Sequence, residues 1–579
     1  MAERLDELVG LYRGVTIGTF HRFCLNLLQD EEYAYRLIGE AERMILMREL
    51  SQHQLSSTQQ RQYLDKISKY KQKSLLPDQL EDEDDEQFVK LYQAYERTLH
   101  QEELYDLEDL LLQSIQLLEQ DPSLCHQLQL RFRSIHVDDY QDINEAQYRL
   151  LRLLVSPEND LCVAGDADQS IFGFRGGAPT YLRHFEQDFS FAGRPARRFT
   201  LWRNYRSPEC VIDISQQVIA SQSNQHRIIQ TSIFSGLSNI TYLHTEDEHT
   251  EARYIAEQIQ QLISPSTEDE VSTETSYTLA DIAILYSSNQ QLPPIQKELK
   301  RQGIPYRIAQ PISIPEKLPE LRLFLALLRY LSPPHGDWLA LYELFSTWPH
   351  LSAMTFPQIQ ALRSQHPHLT PDDCLAHAPE WFALGPKLSQ EAKKLRELIR
   401  SMRASIQTAS AKEFLEQHLS QMEDMLDERW VPGKETRILL YERAAATPFF
   451  SDFLQHLLLE EDPDPYIQPA ARLSLRSLTA AKGTEYPVVF LPGCEESFIP
   501  PSDSPEEEAE HRRLFYVGMT RTKSKLYLSH VKHRQLDGER QSRSPSRYIQ
   551  EVYDLLDTPD EAEENRQQDI FSIIRTEEP

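Results

Sequence analysis

The chain has 579 residues, 40% of them hydrophobic and 26% charged, the composition of an ordinary globular protein with core material for several domain-sized units. No apolar run approaches the length that spans a bilayer, and Met1–Glu7 is charged and amphipathic, unlike a signal peptide, so a cytoplasmic protein without membrane segments is expected. The six cysteines (24, 125, 162, 210, 374 and 494) are scattered with no CxxC pair, which predicts reduced thiols and argues against a zinc or iron–sulfur site. A net charge of −30 lowers the odds of nucleic-acid binding without excluding it. Much of the acid is local, in Glu81–Glu86, Glu460–Asp464, Glu506–Glu508 and a tail after Asp557.

Val15–Ile17 reads as a strand entering a helix at Phe20, and residues from about 25 to 130 carry apolar spacing of i, i+3, i+4 with few strand signals. Ser134–Val137 is a short strand that runs into Asp138-Asp139-Tyr140-Gln141-Asp142. Leu161–Ala164 is a second one, running into Gly165-Asp166-Ala167-Asp168-Gln169-Ser170. Asp/Gln clusters at the carboxyl ends of two nearby strands are the pattern of an α/β nucleotide site, because ligands sit beyond the strand ends. The first cluster suits a hydrated Mg²⁺ and an activated water, and Gln169 suits a phosphate oxygen. Beyond these, Glu251–Ile263 and Gln290–Gln302 read as helices, and Asp281–Leu285, Val488–Leu491 and Leu526–Ser529 as strands. Residues from about 332 to 465 are again helical, and rich in His, Pro and Trp. The alternation predicts parallel sheets of the βαβ kind in two α/β domains, each with a helical insertion, with flexible connections at Ser264–Ser276 and Asp462–Pro465.

Six segments in order resemble the UvrD/PcrA/Rep type of DNA helicase. They are Thr19-Phe20-His21-Arg22-Phe23, Val137–Asp142, Gly165–Gly176, Asn204-Tyr205-Arg206-Ser207, Ala480–Tyr486 and Arg512–Arg521, and Asp281–Arg307 is also similar. The resemblance implies two RecA-like domains of P-loop-NTPase type: residues 1–24 and 113–198 for the first, N-terminally incomplete, and 199–331 and 466–556 for the second. Residues 25–112 and 332–465 would be the helical insertions, and 557–579 an acidic tail. It implies ATP and Mg²⁺ as cofactors, with Asp138 holding the metal through water, Asp139 orienting the attacking water and Gln169 sensing the γ-phosphate. Arg206 and Arg521 would neutralise charge on the transferred phosphoryl group, Tyr205 would stack on adenine and Glu485 would accept from a ribose hydroxyl. Phe23, Phe172 and Phe174 would stack on bases of single-stranded DNA, with Thr19, His21 and Arg175 on phosphates or positioning those rings. The expected activity is ATP-dependent 3′-to-5′ translocation and unwinding in repair or replication, on single-stranded and duplex DNA; no motif names a protein partner.

Three departures qualify that expectation. No G-x-x-x-x-G-K-[ST] phosphate loop lies in the sequence, Asp139 stands where the family has Glu, and Thr479 stands where it usually has His. Met1-Ala2-Glu3-Arg4-Leu5 resembles the interior of a family helix, so an upstream start is expected. Two alternatives stay open: a catalytically silent DNA-binding or regulatory protein, and a metal-dependent nuclease using Asp138, Asp139, Asp142, Asp166 and Asp168.

Overall fold

The computed structural model describes residues 14–556 apart from 34, 81–84, 192, 221–229, 235–239, 265–276, 310–318, 332–337, 350, 352–355, 367, 382–384, 407–408, 428–429, 434–435, 438–439, 442–443, 446–452, 454–456, 458–471, 502–503 and 537. Met1–Leu5, both expected connections (all but Ser264) and the whole acidic tail lie outside the described residues. The chain divides into two compact units. One holds Met1–Arg133, Asn144–Asp160 and Pro311–Asp464; the other holds Ser134–Ile143, Leu161–Gln310 and Pro465–Pro579.

Among its described residues the first unit is mainly helical, with a two-residue parallel pairing of β1 (Arg36–Leu37) with β2 (Leu104–Tyr105). Its helices follow the apolar period: in Glu86–Gln101 the buried residues are Phe88, Leu91, Tyr92, Tyr95 and Leu99, one stripe of the cylinder. Their ends are set by side-chain caps. Ser56 accepts from the Gln59 amide, and Asp106 from those of Glu108 and Asp109, which satisfies amides that have no intrahelical partner. Asp106 also closes a buried cage with Asp109 around Lys71, whose ammonium lies 3.0 and 2.6 Å from the two carboxylates. Residues Ile38 to Leu104 and Leu321 to Leu457 contribute to one continuous hydrophobic core.

In the second unit β3 (Ser134–Val137) pairs with β4 (Asp160–Val163), and β5 (Arg203–Asn204) pairs parallel with β6 (Thr231–Ser232). The main sheet is built of β7 (Ile240–Asp247), β8 (Ile282–Tyr286), β9 (Tyr306–Ala309), β10 (Leu473–Ser477), β11 (Tyr486–Leu491), β12 (Thr522–Leu536) and β13 (Glu539–Ser542). Its order is β9-β10-β8-β11-β12, with β7 also parallel on β12 and β13 antiparallel to it. All five residues of β8 are buried, because both faces of the sheet are covered. Ala283 and Leu285 join a core shared with the helices Glu209–Ala220 and Pro505–Met519, while Ile282, Ile284 and Tyr286 join one shared with Glu248–Ile263 and Leu292–Arg301. This parallel, two-faced arrangement is the α/β fold read from the sequence.

One expected strand is absent: Val15–Ile17 is irregular, and Val15 is 52% exposed. A strand exists only when a neighbour takes its backbone hydrogen bonds, and none of the described residues pairs with this segment. The helix after it begins as expected at Phe20, because Thr19 caps it by accepting from the Arg22 amide at 3.2 Å.

Candidate active site

Strand β3 delivers Asp138 and Asp139 at its carboxyl end. Asp138 accepts from the Asp139 amide at 3.0 Å, and Asp139 sits in the left-handed region at φ 50°. That conformation costs a short Asp less than a longer or branched side chain, which suits the residue found where the family has Glu. Gln141 fixes the turn: its Nε2 donates to Asp139 at 2.9 Å, and its Oε1 accepts from the Asp166 amide at 3.0 Å, tying the first cluster to the second. The approach is close, since a Cβ added at Gly165 would lie 2.8 Å from Gln141 Oε1. Asp166 in turn accepts from the Asp168 amide and from Gln169 Nε2 at 2.9 Å.

Gln169 presents its other end to Arg521, whose Nη2 donates to Gln169 Oε1 at 3.2 Å. Arg521 is only 1% exposed and also donates to the carbonyls of Val517 and Thr484. Burial, and then the nearby guanidinium of Arg206, bring its pKa down to about 10. Arg206 donates to Glu485 at 2.8 Å, and Lys523 lies 2.6 Å from the other oxygen of that carboxylate. Burial raises the Glu485 pKa, but the hydrogen bonds from Lys523 and Arg206 outweigh it and hold the group below its ordinary value. The Arg206 backbone is placed by Asn204, whose side chain accepts from the amides of Arg206 and Ser207. Tyr205 between them is 66% exposed, its ring open to a stacking partner.

Lys482 lies inside the Ala480–Tyr486 segment, where the sequence alone assigns it no role. Its ammonium bonds Asp142, donates to the Gln169 carbonyl at 2.8 Å and lies 3.6 Å from Asp139. Burial pushes the Asp142 pKa up to about 6, against the pull of Lys482. The same ammonium lies 5.4 Å from the centre of the Phe172 ring. Phe172 and Phe174 are 5.9 Å apart, Arg175 lies over both, and Phe174 is 51% exposed. Arg513, likewise unassigned by the sequence, donates to the Ser170 carbonyl at 2.6 Å. The signal for both was their place inside recognised segments; their partners lie about 340 residues away.

Thr19, His21 and Phe23 belong to the helical unit. Phe23 makes an edge contact with Phe132 at 5.7 Å, His21 lies 3.9 Å from Glu108, and Thr19 is the helix cap. The structure therefore gathers Asp139, Asp142, Gln169, Arg206, Glu485, Lys482 and Arg521 in one unit.

A model of the UvrD/REP helicase N-terminal domain matches residues 1–190, and one of the UvrD-like helicase C-terminal domain matches residues 199–344 and 357–533. The chain belongs to the UvrD-like helicase family. It is 30% identical to the ATP-dependent DNA helicase PcrA of Leuconostoc citreum, over 96% of this chain and 77% of that protein. It is 27% identical to the protein of the same name from Staphylococcus epidermidis, over 96% of this chain and 79% of the relative. Among the described residues no helix of this UvrD-like protein is long and apolar enough to cross a membrane. Its oxygen-rich Asp138/Asp139 corner, with the Asp139 side chain 59% exposed, suits a hydrated Mg²⁺; a phosphate loop to hold ATP beside it is not in the sequence.

Proposed function

We propose that this UvrD-like protein acts as an ATP-dependent 3′-to-5′ DNA helicase or translocase of the cytoplasm, serving repair or replication. The observation that supports it best is buried Arg521, hydrogen-bonded to Gln169 and close to Arg206, because two guanidiniums beside a strand-end carboxylate cluster form a ready site for a phosphoryl group. In this reading Asp138 holds Mg²⁺ through water, and the metal neutralises phosphate charge when bound. Asp139 takes the proton of the attacking water, Gln169 contacts the γ-phosphate, and Arg206 and Arg521 stabilise the transferring group. Tyr205 stacks on adenine. Glu485 accepts from ribose, for which its hydrogen bond with Arg206 must loosen. The sheet β7–β13 belongs to the second RecA-like domain (199–331 and 466–556), and β3 with β4 to the first (1–24 and 113–198). Phe23, Phe172 and Phe174 stack on single-stranded DNA, with Thr19, His21 and Arg175 on its phosphates or holding the rings.

Hydrolysis also needs backbone amides and a lysine around the β- and γ-phosphates, and the 579 residues contain no such loop. We therefore expect the chain alone to hydrolyse little ATP. A silent DNA-binding regulator is the second reading, favoured by Asp139 and Thr479. The nuclease reading has less support: Asp142 is bonded to Lys482, Asp166 accepts two internal hydrogen bonds, and no group of three metal-ligating side chains occurs among the described residues.

The test is to fuse a strand–loop–helix segment carrying G-x-x-x-x-G-K-[ST] ahead of Met1 and follow ATP hydrolysis with and without oligo-dT. Single-strand-dependent hydrolysis that is lost in Asp139→Asn supports the motor. A fusion that binds the oligonucleotide and remains inert supports the regulator.

A further inference from the structure

The helix Pro505–Met519 runs beside the loop that carries Gln169 to Arg175 and touches it along one stripe of side chains. Positions 510, 513 and 517 recur at three- and four-residue spacing and so share a face, and Arg521 follows at the same step. Arg521 meets Gln169, Val517 packs with Ile171 in a small buried core, and Arg513 donates to the Ser170 carbonyl at 2.6 Å. Glu510 ends the stripe: its Oε1 accepts from the Gly173 amide at 3.2 Å, across 337 residues of sequence.

That amide opens the single 3₁₀ turn Gly173–Arg175, and the first amides of a helical turn have no partner inside it. Phe172, the residue before it, offers no side-chain acceptor, so the cap comes from Glu510. The same contact accounts for the glycine. The Gly173 backbone is not in the left-handed region, yet a Cβ there would overlap Glu510 Oε2 and lie 3.1 Å from its Cδ. Phe172 and Phe174 flank this glycine with ring centres 5.9 Å apart, and Arg175 lies over both. Phe174 is half exposed, so the turn rather than a buried pocket fixes where its ring stands.

We propose that Glu510 is a positioning residue for single-strand binding: by capping the Gly173 amide it holds the turn that presents Phe172 and Phe174 as a pair. This rests on the reading of those rings as a stacking platform for single-stranded DNA. The negative charge of Glu510 works against phosphate, so what favours binding is its acceptor oxygen.

Oligo-dT anisotropy on the full chain tests this. Glu510→Ala should weaken binding about fivefold, the usual worth of a helix cap. Glu510→Gln keeps an acceptor oxygen at the same reach without the charge, and should stay within about twofold of the parent. Gly173→Ala pushes the carboxylate aside and should lose a similar factor to Glu510→Ala. The double variant Gly173→Ala/Glu510→Ala should be no weaker than the weaker single one, because both changes remove one contact. An unaffected Glu510→Ala, tighter binding in both Glu510 variants, or additive losses in the double variant overturns the inference. Hydrogen exchange of β12 should be the same in every variant; a general loss of protection there makes Glu510 a support of the whole unit and overturns it too. Phe174→Ala separates the two readings. Full binding by that variant removes the stacking platform and this inference with it, whereas weakened binding beside an unaffected Glu510→Ala overturns this inference alone.

Discussion

Replacing Arg521 by Met should leave the folded protein about as stable as before while removing its function. Arg521 is buried, and its pKa falls from the ordinary arginine value to about 10, chiefly through desolvation and then through Arg206. At about 1.4 kcal/mol per tenfold change in proton affinity, the charged form is disfavoured by roughly 3 kcal/mol. Against that stand hydrogen bonds to the four neutral acceptors Gln169, Val517, Thr484 and Thr520, worth roughly 1 kcal/mol each. The two contributions nearly cancel, so Arg521→Met should shift unfolding by no more than about 1 kcal/mol. Arg534 of the same unit provides the contrast. It is 1% exposed and joins Glu251 at 2.9 Å and Glu495 at 2.7 Å, both buried carboxylates that hold its proton more tightly. Arg534→Met strands those carboxylates and should cost about 3–5 kcal/mol. Urea denaturation without nucleotide, followed through hydrogen exchange of β12, reads both. A loss of 2 kcal/mol or more in Arg521→Met, comparable with Arg534→Met, would refute the view that Arg521 is a charge held ready for an anion.

Acid should destabilise the sheet through His530 and His244, which are register partners on β12 and β7 with rings stacked 4.2 Å apart. Burial, then His244, lowers the His530 pKa from 6.5 to about 4, and burial, then Lys532, lowers that of His244. The unfolded chain therefore binds protons first, so stability present above about pH 6.5 drains away towards pH 4, by ~3 kcal/mol for His530; a pH series of urea melts checks this, and His530→Gln should flatten it. Lys482→Ala should push the Asp142 pKa above its value of about 6, since the ammonium pulls it down; carboxyl NMR titration that showed a fall instead would contradict the pairing. Phe174→Ala should weaken oligo-dT binding by about 1–3 kcal/mol with little effect on unfolding, as the ring is half exposed; fluorescence anisotropy and a melt separate the two.

The site's carboxylate half was legible because β3 and β4 are short runs ending abruptly in Asp and Gln, a pattern local to the chain. Strand β8 was legible for a similar reason, since Ile282–Tyr286 is a continuous apolar run bounded by polar residues. Strands β7 and β10 were missed: Ile240–Asp247 interleaves His, Thr and Glu with its apolar residues, and Leu473–Ser477 interleaves Ser and Arg. The opposite error at Val15–Ile17 has the complementary cause, because β-branched residues promise a strand only when a neighbour exists. Lys482 reaches Asp142 across 340 residues and Arg329 reaches Glu42 across a similar span, and no local period encodes such pairings. For the same reason the helical spacing of the two long stretches predicted their apolar faces but not that both faces bury against each other.

The most direct test of the motor assignment is ATP hydrolysis by the loop-fused chain on oligo-dT, set beside its Arg206→Ala and Arg521→Ala variants. Single-strand-stimulated turnover is expected in the fusion, with a loss of several hundredfold or more in either arginine variant and little turnover in the 579 residues alone. Full turnover without the loop, or arginine variants as active as their parent, would contradict it.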